Sequence, residues 1–292
     1  MFNDTTPFVI NAAINFPFCV LAIVGNLLIL VSFARTPSLV SPSNVLLIGL
    51  ALTDLCVGLI VQPAYIAWKI HQHFQQDPTL VGFLGRATRF ASSLLCGVSY
   101  IIVSSLSVDR FMAVHLHLRY HEIVTVRRVA FFCAFAWFPC SAASSLGAWK
   151  YGYFELFSAP FVGICLLLNA VLYSKIYRVV RRHQLQVWNQ VTVFQSTAQI
   201  KISTGLKNSF INIFYLYIIC LICYVPYMTT AFISILHFQQ RGDMHTPVSV
   251  TLAFEVSWTI TFINSSFNPL LFSWRLKNIR AAVKRTLKDL LC

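Results

Sequence analysis

Seven long apolar runs decide what this chain can fold into. They lie at roughly 9–34, 44–68, 82–108, 127–148, 153–177, 208–236 and 247–273, each followed by a short polar or basic break. A helix that crosses the hydrocarbon core of a bilayer needs about 20 mostly apolar residues, and each run supplies them. Only 11% of the residues are charged while 57% are hydrophobic, and 25 of the 292 are Phe. That is too little charge for a surface facing water. Lipid cannot satisfy backbone N–H and C=O groups, so only helices and closed barrels span a bilayer. A barrel would alternate in segments of about ten residues, whereas these runs are continuous. The expectation is an all-α membrane protein, a seven-transmembrane helix bundle forming one domain over 1–292. No internal repeat is visible, and no length is left for a separate soluble domain.

Charge sets the orientation. With the N-terminus outside, Lys69, Arg86, Arg89, Lys150 and Arg241 lie on the outer side and the remaining Lys and Arg of the 22 lie on the cytoplasmic side. Cytoplasmic ends carry the excess of Lys and Arg, so the N-terminus is expected outside and the C-terminus inside. The net charge of +13 is then a topology signal and a contact with anionic inner-leaflet lipid. Nucleic acid is the poorer partner, because the basic residues flank spans. About ten residues precede the first run, which is expected to act as an uncleaved signal-anchor. Asn3-Asp4-Thr5 is a glycosylation sequon on the outer side. Eight of the nine cysteines fall inside apolar runs and Cys292 ends the chain, so they are read as packing residues or free thiols without a disulfide framework. Palmitoylation of Cys292 is the alternative to a plain thiol there.

Motifs then appear at matching places along the runs. Asp109-Arg110-Phe111 closes the third, an acid and a base at the end of a stretch without charge since Arg89. Gly25-Asn26 sits in the first, Leu50-Ala51-Leu52-Thr53-Asp54 in the second and Trp137 in the fourth. Tyr173 and Ile176 lie near the base of the fifth, Cys223-Tyr224-Val225-Pro226 in the sixth and Asn268-Pro269-Leu270-Leu271-Phe272 in the seventh. In order and position these resemble the rhodopsin-like (class A) G-protein-coupled receptors, with Phe111 for a Tyr, Tyr224 for a Trp and Phe272 for a Tyr. The resemblance covers every span. After it, apolar Leu276, Ile279, Val283 and Leu287 recur at helical spacing among basic residues. That pattern gives an amphipathic interfacial helix over about 274–290, where the family has its eighth helix.

The resemblance implies a plasma-membrane receptor that transmits an extracellular ligand to heterotrimeric G proteins, with no catalytic residues. Asp109, Arg110, Tyr173, Tyr224, Pro226, Asn268, Pro269 and Phe272 would carry activation. Asp54 with Ser99, Asn264, Ser265 and Asn268 matches positions where the family binds a sodium ion as a modulator; no other cofactor is implied. Gly85 stands where the family usually has a bonded Cys, and Cys165 where the fifth span has a Pro. These departures resemble the melanocortin, cannabinoid and adenosine branches. In some relatives an acid at the base of the sixth span also holds the arginine matching Arg110; 201–210 contains none, so appreciable resting activity is expected.

The ligand side is read more openly. Arg86 and Arg89 are one turn apart above Ser92 and Cys96, and Glu255 opposes them from the seventh run. Tyr65, Trp68, Tyr227, Trp258 and Thr261 complete a cup, pockets being mostly apolar with few polar anchors. The competing reading has the arginines snorkelling outward and the aromatics in the interfacial belt. Ser92 replaces the Asp of amine receptors and 247–274 holds no Lys for a retinal Schiff base. A small molecule, lipid or short peptide remains. A transporter or channel is the alternative, but it needs ionisable groups along a path and often repeats, and Asp54 alone lies deep. A hydrolase needs a nucleophile and base together at depth, and the eight histidines fall at run ends and loops.

Overall fold

A computed structural model describes residues 6–74, 77–116, 119–149, 153–191, 197–241 and 247–291. Eleven helices occupy them: α1 Thr6–Arg35, α2 Pro42–Cys56, α3 Gln62–His73, α4 Pro78–Leu116, α5 Tyr120–Ile123, α6 Val126–Phe135, α7 Trp137–Trp149, α8 Tyr153–Val191, α9 Thr197–Arg241, α10 Val248–Arg275 and α11 Lys277–Leu291. No strand occurs among the described residues. The starts follow local chemistry. Ser41 accepts the amide of Asn44 with Pro42 in the first turn, and Thr125 accepts the amide of Arg128, as side chains at helix N-caps do.

Among the described residues five stretches are long and apolar enough to cross a membrane: Thr6–Arg35, Pro42–His73, Pro78–Leu116, Pro160–Val179 and Tyr217–His237. The fourth and seventh runs are helical too, but they do not reach that standard by length and composition. The fourth breaks at Ala136 into α6 and α7. The seventh, α10, buries Glu255, Ser257, Thr259, Thr261, Asn264, Ser265, Ser266 and Asn268, and these lower its hydropathy because it faces a polar interior. Several helices outrun the apolar runs read from sequence; α8 and α9 extend to Val191 and back to Thr197, beyond 153–177 and 208–236. Apolarity marks only the part in contact with lipid.

The bundle is apolar outside and polar within. Leu27, Leu59, Phe131, Phe138, Ile164, Leu167, Ile222 and Phe232 are exposed, whereas Asn11, Asn15, Asn26, Asp54, Gln62, Lys69, Glu255 and Asn268 are buried. Water would enforce the reverse; ionisable groups that face a bundle interior are the membrane pattern. Between α2 and α3 the chain makes a π-helical turn, Val57–Val61, next to Pro63, which lacks an N–H to continue the ladder. That turn aims Gln62, Tyr65 and Lys69 inward. Close approaches fix the first helix. A Cβ on Gly25 would lie 2.9 Å from the Pro269 ring, and one on Gly58 3.0 Å from Ile23. Of the stretch read at about 274–290, Trp274 and Arg275 end α10 and Lys277 onward forms the helix α11, with Ile279, Ala282, Val283 and Thr286 buried.

Candidate functional site

The deep acid is the first feature. Asp54 is fully buried, and Asn268 donates its amide to one carboxylate oxygen at 2.7 Å. The other oxygen, Oδ1, has no partner among the described residues, and neither does Oδ1 of Asn264. Ser99 and Ser265 are buried as well. Two buried oxygens without a partner are costly, and carboxylate and amide oxygens are the hard donors that a small hard cation takes. Nearby, Asn26 donates to the carbonyl of Ser265 at 3.1 Å, which ties α1 to α10 beside Gly25 and Pro269.

An ion pair closes one end of the bundle. Lys69 Nζ lies 2.6 Å from Glu255 Oε1, and the lysine is 3% exposed. Tyr65 donates to Oε2 of the same carboxylate at 2.8 Å and accepts from Asn11 at 2.9 Å. The Lys69 ammonium also stands 3.6 Å from the centre of the Trp68 ring, at cation–π range. Trp68 itself fills the space over Gly85, where a Cβ would meet the indole at 3.0 Å. The charge facing Glu255 is therefore Lys69 rather than Arg86 or Arg89. Arg89 is buried with its guanidinium 5.7 Å from the Trp68 ring, while Arg86 is exposed. The eight described cysteines are free.

Below lies a cavity of about 400 Å³ between α4, α7, α8, α9 and α10. Ser92, Cys96, Tyr227, Trp258 and Thr261 line it as the sequence suggests, together with Tyr100, Tyr224, Phe262, Pro139, Cys140, Ala143, Ser144, Phe161 and Val162. Arg86, Arg89, Glu255, Tyr65 and Trp68 are not part of that wall. At its floor Tyr100 and Tyr224 meet edge to face with ring centres 4.6 Å apart. The Tyr100 hydroxyl is buried and unpartnered among the described residues.

At the opposite end Asp109 Oδ2 lies 3.2 Å from an Arg110 nitrogen. The carboxylate is shared. Ser43 of α2 donates to Oδ2 at 2.7 Å, and Tyr120 of α5 donates to Oδ1 at 2.5 Å. Burial and that hydrogen bond push the Tyr120 phenol up to about 12, so it stays a donor throughout the physiological range. Two residues earlier, Ser107 donates to the Tyr173 hydroxyl at 3.1 Å, and Tyr173 stacks on Tyr217 at 4.9 Å. Phe272 is buried in the same hydrophobic cluster. Pro226 and Pro269 lie inside α9 and α10. Ser43, Lys69 and Tyr120 escape sequence reading because only the tertiary register brings them to their partners. Asn3, Cys292 and the Lys150 loop position lie outside the described residues, and the side chains of 201–210 do as well.

A polar seam through a helical bundle, a cavity near one end and a held acid–arginine pair at the other are the features to set beside known proteins. Residues 25–152 match the model of the 7 transmembrane receptor (rhodopsin family). The chain is 25% identical to trace amine-associated receptor 365 of Petromyzon marinus, over 89% of this chain and 74% of that protein. It is 25% identical to probable G-protein coupled receptor 45 of Homo sapiens (90% and 78%) and 23% identical to the histamine H2 receptor of Rattus norvegicus (91% and 75%). The family match and these relatives together support a rhodopsin-like (class A) G-protein-coupled receptor. The transporter or channel alternative is not favoured.

Proposed function

We propose that occupancy of the cavity is transmitted to heterotrimeric G proteins bound at the Arg110 end, in a plasma-membrane receptor whose N-terminus is extracellular. The observation that carries this is the Asp109–Arg110 pair, buried at the carboxylate and secured from two other helices by Ser43 and Tyr120. A contact of that kind is a two-state element: it holds the arginine until the helices move. A ligand against Trp258 and Tyr224 acts on the Tyr224–Tyr100 pair and on α9 above Pro226. Tyr173, Phe272, Asn268 and Pro269 connect that movement to the inner end. The protein works by binding and rearrangement, without catalytic residues.

Asp54 Oδ1 and Asn264 Oδ1, with Ser99 and Asn268, would hold a sodium ion. Bound there, it would favour the arrangement in which α2 and α10 are closed around the acid. Two of the relatives are named for amines, but the described wall of this cavity contains no acid to pair an ammonium, so an amine is not the proposed ligand. Lys69, Glu255 and Arg89 are assigned to an outer cap. The direct test is isolation of a complex between the detergent-solubilised protein and nucleotide-free G protein. The intact chain is expected to form it and Arg110→Ala to lose it. Formation by neither, across the major G-protein classes, opposes the proposal.

A further inference from the structure

The cavity wall among the described residues contains no Asp, Glu, Lys, Arg or His. Three of its hydroxyl protons are committed to the protein. Ser92 donates to the carbonyl of Arg89 at 3.1 Å, Ser144 to Ser93 at 3.0 Å and Thr261 to the carbonyl of Ser257 at 3.0 Å. A charged guest would lose its hydration without gaining a counter-charge. The volume of about 400 Å³ falls within the range that holds a small organic ligand.

The lateral wall is built differently from the floor. Pro139 and Ala143, one turn apart on α7, line the cavity and are also exposed. Phe161 of α8 does both as well and is 39% exposed. Their depth decides what they are exposed to. Pro139 follows Val126 by 13 residues in the α6–α7 span, or about 20 Å at the helical rise. A hydrocarbon core is about 30 Å thick, so these side chains face acyl chains rather than water.

We propose that the cavity takes an uncharged lipophilic molecule that arrives from the bilayer between α7 and α8, past Ala143 and Phe161. This rests on the receptor reading and adds the ligand class and its route. The lipid phase concentrates such a molecule beside the portal, while the Lys69–Glu255 cap, Trp68 and Tyr65 occupy the outer end of the neighbouring helices.

The test uses the full chain in lipid nanodiscs and two photoreactive probes, a medium-chain alcohol carrying a diazirine and the ammonium compound of the same skeleton. After timed mixing and a flash, labelled peptides are mapped by mass spectrometry. The alcohol is expected on the segments bearing Cys96, Tyr100 and Tyr224, and the ammonium compound about a hundredfold less. Ala143→Trp, which plugs the portal, should slow labelling about tenfold, equivalent to about 1.4 kcal/mol on the barrier. Phe161→Ala, which widens it, should speed labelling, so the claim does not hang on one variant that fails to fold. Equal labelling by the two probes, or rates indifferent to both substitutions, overturns the proposal. Labelling that fails in protein still able to accelerate nucleotide exchange on G proteins overturns this inference alone. Labelling as expected without any exchange overturns the receptor reading alone.

Discussion

Replacing Glu255 with Leu leaves the Lys69 ammonium buried without its counter-charge. At 2.6 Å the gross attraction is about 6 kcal/mol at an effective dielectric of about 20. Desolvation of both groups offsets most of that gain in the intact protein, so the net worth of the pair is small. Removal of one partner is different, because the desolvated charge remains. The scale is about 3–5 kcal/mol, and the Tyr65 hydroxyl loses its acceptor too. Lys69→Met together with Glu255→Leu removes both charges and should recover most of the loss. Thermal unfolding in nanodiscs, followed by a maleimide dye that reports exposure of the free cysteines, gives the readout. At about 2 °C per kcal/mol for a chain of this size, the single variant should melt about 6–10 °C lower and the double variant within a few degrees of the parent. A single variant as stable as the parent refutes the reasoning. So does a double variant as unstable as the sum of the two single changes.

Gly25→Ala puts a methyl 2.9 Å from the Pro269 ring, and overpacking of this kind destabilises by about 1–3 kcal/mol; the same melting assay reads it. Tyr100→Phe removes a buried hydroxyl that has no partner among the described residues, so it should stabilise the described conformation by about 1–3 kcal/mol and raise the melting temperature. Tyr120→Phe deprives Asp109 of one of the donors that secure its carboxylate beside Arg110, and should raise resting nucleotide exchange; a decrease would contradict that. The Tyr120 phenol is held up to about 12 from 10. Its contribution is therefore complete below about pH 10 and is lost only as pH rises through 12, and exchange measured between pH 6 and 9 should show no transition from this residue. Asp54→Asn should abolish any sodium sensitivity of activation, measured by exchange across a sodium series at constant ionic strength.

Much of this molecule was legible in order of hydropathy and motif. Long apolar runs announce helices because the bilayer forbids other backbones. Asp54 and Asn268 announce each other because a deep acid requires a partner. The pairs that escaped are those fixed only by register. Sequence spacing sets Glu255 opposite Arg86 and Arg89, which share a turn of α4. The π-helical turn before Pro63 instead rotates Lys69 inward and brings it to the carboxylate, across 186 positions of chain. Three positions, about 60° of helical phase, separate Arg89, buried, from Arg86, exposed, and sequence spacing cannot say which way that face points. Ser43 and Tyr120 carry no pattern of their own; they matter because α2 and α5 end beside Asp109. The cavity likewise depends on volumes left between five helices. The expected resting activity rests on the lack of an acid in 201–210; the described contacts around Asp109 leave Ser43 and Tyr120, with Asp109 itself, to hold that end.

Nucleotide exchange on purified G proteins of the major classes, in nanodiscs without added ligand, tests the central claim most directly. The intact chain should accelerate exchange by at least one class above protein-free discs, Asp109→Asn should raise it by up to about tenfold, the equivalent of about 1.4 kcal/mol between two states, and Arg110→Ala should bring it to the protein-free rate. Leu206→Glu, which supplies an acid at the base of the sixth span, should lower it. An intact chain indistinguishable from protein-free discs for every class, at a melting temperature that proves it folded, would contradict the account.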